Sequence, residues 1–189
     1  FIRTTACHLR CHYCDTPHAF YEGKAWSIDR VVNTVRKIGH PLVELTGGEP
    51  LLQGSAVALM RHLCDEGYEV LLETSGSLDI SVVDPRVVCI MDLKTPSSGE
   101  EAANDYANIE HLMKHHEVKL VLGDRADYEW AKEILERFEL SKRCTVLMGP
   151  VYGRLELAEL AQWILADHLP VRLQVQMHKV IWEPYARGV

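Results

Sequence analysis

Short runs rich in Val, Leu and Ile alternate along this chain with stretches that are apolar at every third or fourth position, and that alternation leaves few folds open. The β-like runs are "FIRTT" (1–5), "LVELT" (42–46), "EVLLET" (69–74), "VVCIMDL" (87–93), "EVKLVL" (117–122), "CTVLM" (144–148) and "VRLQVQ" (171–176). Between them, residues 27–39 place Ile28, Val31, Val32, Val35 and Ile38 on one helical face, with Ser27 as N-cap and Gly39 as stop. Residues 55–67, 127–138 and 154–167 repeat the pattern, and 100–114 does so more weakly. Strands of this composition separated by amphipathic helices mean parallel βαβ units. The strands are too few for a full eightfold barrel, so the expectation is α/β: a partial, open barrel of mostly parallel strands, or a doubly wound sheet.

In either architecture ligands gather at the carboxyl ends of the strands. Those ends carry "ACHLRCHYCDT" after the first strand, then "TGGEP" (46–50), "TSGS" (74–77), "DLKTPSS" (92–98) and "GPVYG" (149–153). One site assembled from several loops follows. With 189 residues the chain suits one domain spanning 1–189. It begins at Phe1 inside a strand-like run, so a native N-terminal segment is expected to precede it.

Net charge is −7, and no basic stripe argues for nucleic acid. No apolar run approaches the roughly 18 residues of a membrane span, and none reads as a secretion signal. Cys64, Cys89 and Cys144 lie singly in apolar surroundings, the usual setting of a small core residue. Cys7, Cys11 and Cys14 instead crowd one loop, which without a secretion signal points to metal in a reducing cytoplasm. Taken alone, the loop leaves two metals open. Zinc would need a fourth ligand from His8, His12 or His18. An iron–sulfur cluster with three thiolates would keep one iron open for a substrate or cofactor.

The spacing Cys7-x3-Cys11-x2-Cys14, with Tyr13 before the last cysteine and "TGGEP" after the next strand, resembles the radical S-adenosylmethionine (SAM) superfamily. The resemblance implies a (β/α)6-type partial barrel and a 4Fe-4S cluster on the three cysteines. Its open iron would chelate the amino and carboxylate groups of SAM, which an electron then cleaves to methionine and a 5′-deoxyadenosyl radical. Gly47 and Gly48 would let backbone approach a ligand closely, and Glu49 would suit the aminoacyl ammonium.

The run "FIRTTACHLRCHYCDT", "DLK", "VLMGPVYGRLELAELAQWIL" and the ending "VQMHKVIWEP…RGV" resemble the 7-carboxy-7-deazaguanine synthase family. That family contracts the ring of 6-carboxy-5,6,7,8-tetrahydropterin with loss of ammonia, on the path to queuosine. The resemblance places Tyr13, Asp15, Gly48, the Asp92–Lys94 strand end and Met148, Gly149, Pro150 and Val151 against SAM. It makes Thr16 a magnesium (Mg2+) ligand and puts Arg3 and Thr46 on the substrate, with His178 and the terminal carboxylate of Val189 as further substrate candidates. The strand end differs from a serine-bearing version common in the family, which puts more weight on Lys94 than on Asp92. By spacing alone, Asp15-Thr16 reads as an Asx-turn or helix cap. The resemblance further implies an electron donor such as a flavodoxin or ferredoxin, and a homodimer as the candidate assembly. Competing readings are a glycyl-radical-enzyme activase of the same superfamily and a zinc-binding interaction module.

Overall fold

In the computed structural model, which describes residues 1–184, 186 and 187, the strands make one sheet in the order β1-β2-β3-β4-β5-β6-β7, every neighbouring pair parallel. They are β1 Ile2–Thr4, β2 Leu42–Gly47, β3 Glu69–Thr74, β4 Val88–Asp92, β5 Glu117–Leu122, β6 Thr145–Pro150 and β7 Arg172–Leu173. Each step along the chain is a step across the sheet. A doubly wound sheet would reverse direction once, so this is the open-barrel alternative.

The helices are α1 Ile28–Ile38, α2 Ala56–Asp65, α3 Arg125–Arg137, α4 Leu140–Arg143, α5 Leu157–Ala166 and α6 His178–Ile181. Ser27 Oγ accepts the Arg30 N–H, and Gly39 stops α1 in the left-handed region at φ 72°. The expected helix over 100–114 is replaced by 3-10 turns, Glu101–Ala103 and Tyr106–His111. Asn108 explains the departure. Its buried amide accepts the Ile80 N–H and donates to the Gly76 and Leu78 carbonyls, which fixes this segment by long-range bonds instead of an apolar stripe. The expected stripes are also narrower than the sequence suggests. Val32 and Val35 are buried but Ile38 is 72% exposed, and in α5 Leu160 and Ile164 are buried while Leu165 is 72% exposed.

Strand alternation divides the sheet into two chemistries. One face sends Val43, Leu45, Val70, Leu72, Cys89, Met91, Val118, Leu120, Leu122, Val146 and Met148 beneath the helices, into two contiguous apolar clusters. The other face carries Arg3, Glu44, Thr46, Glu73, Asp92 and Lys119, set by the registers Arg3↔Thr46, Glu44↔Leu71 and Asp92↔Lys119. The core therefore lies on the helix side, and the concave side is a charged groove. No described helix is long and apolar enough to cross a membrane.

Candidate functional site

The cysteine loop leaves β1 through Ala6, whose φ of 67° turns the chain over the carboxyl edge of the sheet. Cys7, Cys11 and Cys14 are half-buried free thiols. The Cys14 N–H donates to the Cys11 carbonyl at 3.1 Å, closing the C-x-x-C turn. The loop is docked on residues 95–100: Arg10 N–H donates to Glu100 Oε1 at 2.5 Å and His12 N–H to the Ser98 carbonyl at 2.9 Å. The Tyr13 hydroxyl donates to the Val121 carbonyl at 3.1 Å and lies 3.1 Å from Thr95 Oγ1. Burial, then Asp92, pushes that phenol up to about 12, so it stays protonated and can donate. Burial also pushes the Cys11 thiol up to about 11, opposed by Lys94 and reinforced by Asp92 and Cys14, while burial and then Asp15 raise Cys14, with Cys7 adding. Cys11 thus feels Cys14, and Cys14 feels Cys7; iron bound by this loop would be held by thiolates.

This donor set fits a cluster better than a zinc ion. His8, a proposed fourth zinc ligand, has Nε2 bonded to Ser77 Oγ at 2.8 Å. Among the described residues no three His, Cys, Asp or Glu side chains converge as a single ion needs. A cuboidal cluster spreads its ligands more widely.

Below the loop the groove is an ordered network. Thr46 Oγ1 donates to Glu73 Oε2 at 3.0 Å, Lys119 Nζ to Glu73 Oε1 at 2.5 Å, and Lys94 Nζ to Asp92 Oδ2 at 2.8 Å. Burial disfavours the charged forms of Glu73, Lys119 and Lys94. Their partners outweigh it, lowering Glu73 and raising both lysines, so all three stay charged. Asp92 Oδ1 is buried without a hydrogen-bond partner, an acceptor left over for a ligand. Arg3 is exposed on the same face as Thr46.

Glu44 stands apart. Burial, then Glu73, lifts its carboxyl from 4.5 to about 7, with Lys119 and Arg3 opposing. A folded pKa above the unfolded one stabilises the protein below the unfolded value, and that stability is lost as pH climbs through 7. Glu44→Gln is therefore expected to match wild type in urea melts near pH 4.5 and to exceed it by about 2 kcal/mol at pH 8. A gap independent of pH would contradict this.

The structure shows what several of the expected SAM-binding residues touch within the chain itself. Glu49 is fully buried, and its carboxylate is saturated: Oε1 accepts Leu51 N–H (3.0 Å) and Thr74 Oγ1 (2.8 Å), Oε2 accepts Ser75 N–H (2.7 Å) and Oγ (2.6 Å). It ties the "TGGEP" turn to the end of β3 and has no acceptor site left for an ammonium. Gly47 and Gly48 do serve close approach, but to the chain itself: a Cβ on Gly47 would meet the Thr4 carbonyl at 2.3 Å, and one on Gly48 the Ala6 carbonyl at 2.0 Å. Met148 is buried in the helix-side core, and its carbonyl accepts the Gln174 N–H, so its side chain is turned from the groove. Gly149 makes room for the Gln174 carbonyl, and Val151 is buried, its N–H donated to Leu122. Pro150, half-buried, ends β6. Thr16 stands at the N-cap of a short 3-10 helix, Pro17–Phe20, as the cap reading has it, but without a side-chain cap bond: its carbonyl accepts the Ala19 N–H, and its hydroxyl donates to Asp15 Oδ1 at 2.9 Å. His178 is half-buried in α6, and Val189 lies outside the described residues.

Glu73, Lys119 and Glu44 were not singled out from sequence. Their signal was there: the charges of "LVELT", "EVLLET" and "EVKLVL" all fall on one strand face, which a sheet buried on both faces would not carry. Gln176 and Lys179, which reach Asp15 from the C-terminal segment, had no local signal.

An open parallel half-barrel whose first strand delivers three cysteines to a charged groove is the architecture of a radical SAM enzyme, and the Radical SAM superfamily model matches residues 1–164. The chain belongs to that superfamily and uses its cofactors, a 4Fe-4S cluster and SAM. It is 45% identical to the 7-carboxy-7-deazaguanine synthase of Chlorobaculum tepidum, over 100% of this chain and 87% of the relative, and 41% identical to that of Koribacter versatilis, over 100% and 90%. The chain belongs to the 7-carboxy-7-deazaguanine synthase family. The fold agrees with that of QueE from Escherichia coli (TM-score 0.73, 21% identity, 92% of this chain and 83% of that one). It agrees also with Streptococcus suis SuiB bound to S-adenosylmethionine (TM-score 0.64, 15% identity, 93% and 46%).

Proposed function

We propose that residues 1–189 act as one domain that converts 6-carboxy-5,6,7,8-tetrahydropterin to 7-carboxy-7-deazaguanine with release of ammonia. The observation that carries this reading is the charged groove under the cysteine loop, where Arg3, Thr46, Glu73 and Lys119 line one face. A pterin presents an N–H-rich edge, which suits Glu73, and a carboxylate, which suits the exposed Arg3. Cys7, Cys11 and Cys14 hold the cluster. When bound, the cluster supplies the electron that cleaves SAM to its radical. Lys94 and the orphaned Asp92 Oδ1 offer charge and an acceptor to SAM, and His178 approaches the substrate from the C-terminal side. The electron comes from a small carrier such as a flavodoxin or ferredoxin, and the working assembly is a homodimer. Reduced, cluster-loaded protein given SAM and the pterin should yield the deazaguanine. SAM cleavage without that product would refute the substrate assignment.

Magnesium fits Thr16. Its hydroxyl spends its proton on Asp15 and keeps lone pairs free, a neutral hard oxygen beside the cysteine loop. One protein oxygen does not hold the ion alone, so a substrate carboxylate and water complete the shell. Thr16→Ala is expected to reduce turnover at least tenfold at low magnesium and shift the magnesium curve to higher concentration, with cluster content and SAM binding intact. Thr16→Ser should keep most of the response. Coincident magnesium curves for wild type and Thr16→Ala would remove the metal role.

A further inference from the structure

The carboxylate next to the magnesium position is already held by the C-terminal segment. Asp15 Oδ2 accepts Gln176 Nε2 at 2.8 Å and has Lys179 Nζ at 3.4 Å, while Oδ1 accepts Thr16 Oγ1 at 2.9 Å. The Lys179 side chain is 7% exposed, against 34% for Asp15. Its ammonium lies 5.3 Å from the centroid of the Tyr152 ring. A lysine this enclosed is not a loose surface partner: its stem is packed, and its charge has Asp15 on one side and an aromatic face on the other.

Without that ammonium, Asp15 and Thr16 would offer a divalent cation one charged and one neutral oxygen on adjacent residues. With it, the carboxylate's charge is matched and its Oδ2 has two donors on it. What remains for the metal is the neutral Thr16 oxygen. We propose that Lys179 is a positioning residue that keeps Asp15 out of the magnesium shell and so makes metal binding conditional on the substrate carboxylate. The proposal rests on the magnesium reading of Thr16 above. It assigns the C-terminal segment a task in ordering the ternary complex, with metal and substrate entering together.

The test is a titration with Mn2+, read from the EPR signal of the free ion, on cluster-loaded, SAM-bound protein kept oxidised so that it does not turn over. Wild type should bind Mn2+ weakly alone and more than tenfold tighter with 6-carboxy-5,6,7,8-tetrahydropterin. Lys179→Met should bind it on the order of tenfold tighter than wild type without substrate. The double variant Asp15→Asn/Lys179→Met should lose that gain. If Lys179→Met fails to load its cluster, Lys179→Gln, which keeps a donor without charge, carries the same expectation. Equal affinity of wild type and the neutral Lys179 variant overturns the proposal, and so does a gain that survives Asp15→Asn. The magnesium reading is judged separately: it stands if Thr16→Ala weakens Mn2+ in the presence of substrate, and both readings fall if it does not.

Discussion

Replacing any one of Cys7, Cys11 or Cys14 by Ala is expected to abolish the visible iron–sulfur absorbance and SAM cleavage together. The three are half-buried thiols on a single loop, whereas the other three cysteines lie in or against the helix-side core. Cys89 lies beneath the helices at 1% exposure with the core around Val70 and Leu72, and Cys144 sits at 6% with Val118 and Val146. Cys64 is on α2, against the same core. Ala at any of these three should leave iron content and SAM cleavage intact and cost about 1 kcal/mol of stability, the scale of a small core truncation. Iron content and methionine release, measured across all six variants after anaerobic reconstitution, divide the two groups. Loss of the cluster in Cys144→Ala would show that the ligand set is misassigned.

The same contrast shows what a linear sequence discloses. The cysteine spacing and the order of strands were readable because each depends on neighbours in the chain: three sulfurs in one loop, one apolar period per element. Arg3, Thr46 and Lys94 were readable through the family resemblance, and the structure puts them on or beside one groove. The roles of Glu49 and Gly48 were not readable. Both occupy the motif, yet what each touches is set by chain far away, Ser75 in one case and Ala6 in the other. Tyr13 likewise spends its hydroxyl on Thr95 and Val121, across the sheet. The final strand shrank to Arg172–Leu173 for a related reason. It is an edge with a single neighbour, so its extended composition has little ladder to join. Lys179 and Gln176 show the limit most plainly: their partner Asp15 stands at the other end of the chain.

Gly48 is where the observed geometry bears most on the expected result. If the glycine made room for a ligand, a side chain there would block SAM and leave the cluster loop alone. The structure places the Ala6 carbonyl oxygen 2.0 Å and the Cys7 nitrogen 3.1 Å from the position of a Cβ on residue 48. Both are backbone atoms and cannot rotate away. The surrounding bonds leave little slack: Gly48 N–H donates to the Thr4 carbonyl at 3.1 Å, Glu49 N–H to the Ala6 carbonyl at 2.8 Å, and Ala6 N–H to the Ala19 carbonyl at 2.8 Å. Ala6 itself already holds a left-handed conformation that costs a non-glycine residue about 1 kcal/mol. A methyl at 48 must therefore push Ala6, and with it Cys7, out of place. Gly48→Ala is expected to lose iron incorporation and SAM binding together, and to lower stability by about 3 kcal/mol, the scale of an overpacked site. Gly54→Ala, where a Cβ meets nothing within 4 Å, is the control and should load its cluster normally. Ala6→Gly relieves the left-handed strain, leaves the carbonyl where it is and should also keep its cluster. Iron content and SAM affinity measured side by side decide the matter. A Gly48→Ala protein with full iron and only weakened SAM binding would mean that the glycine faces the ligand after all.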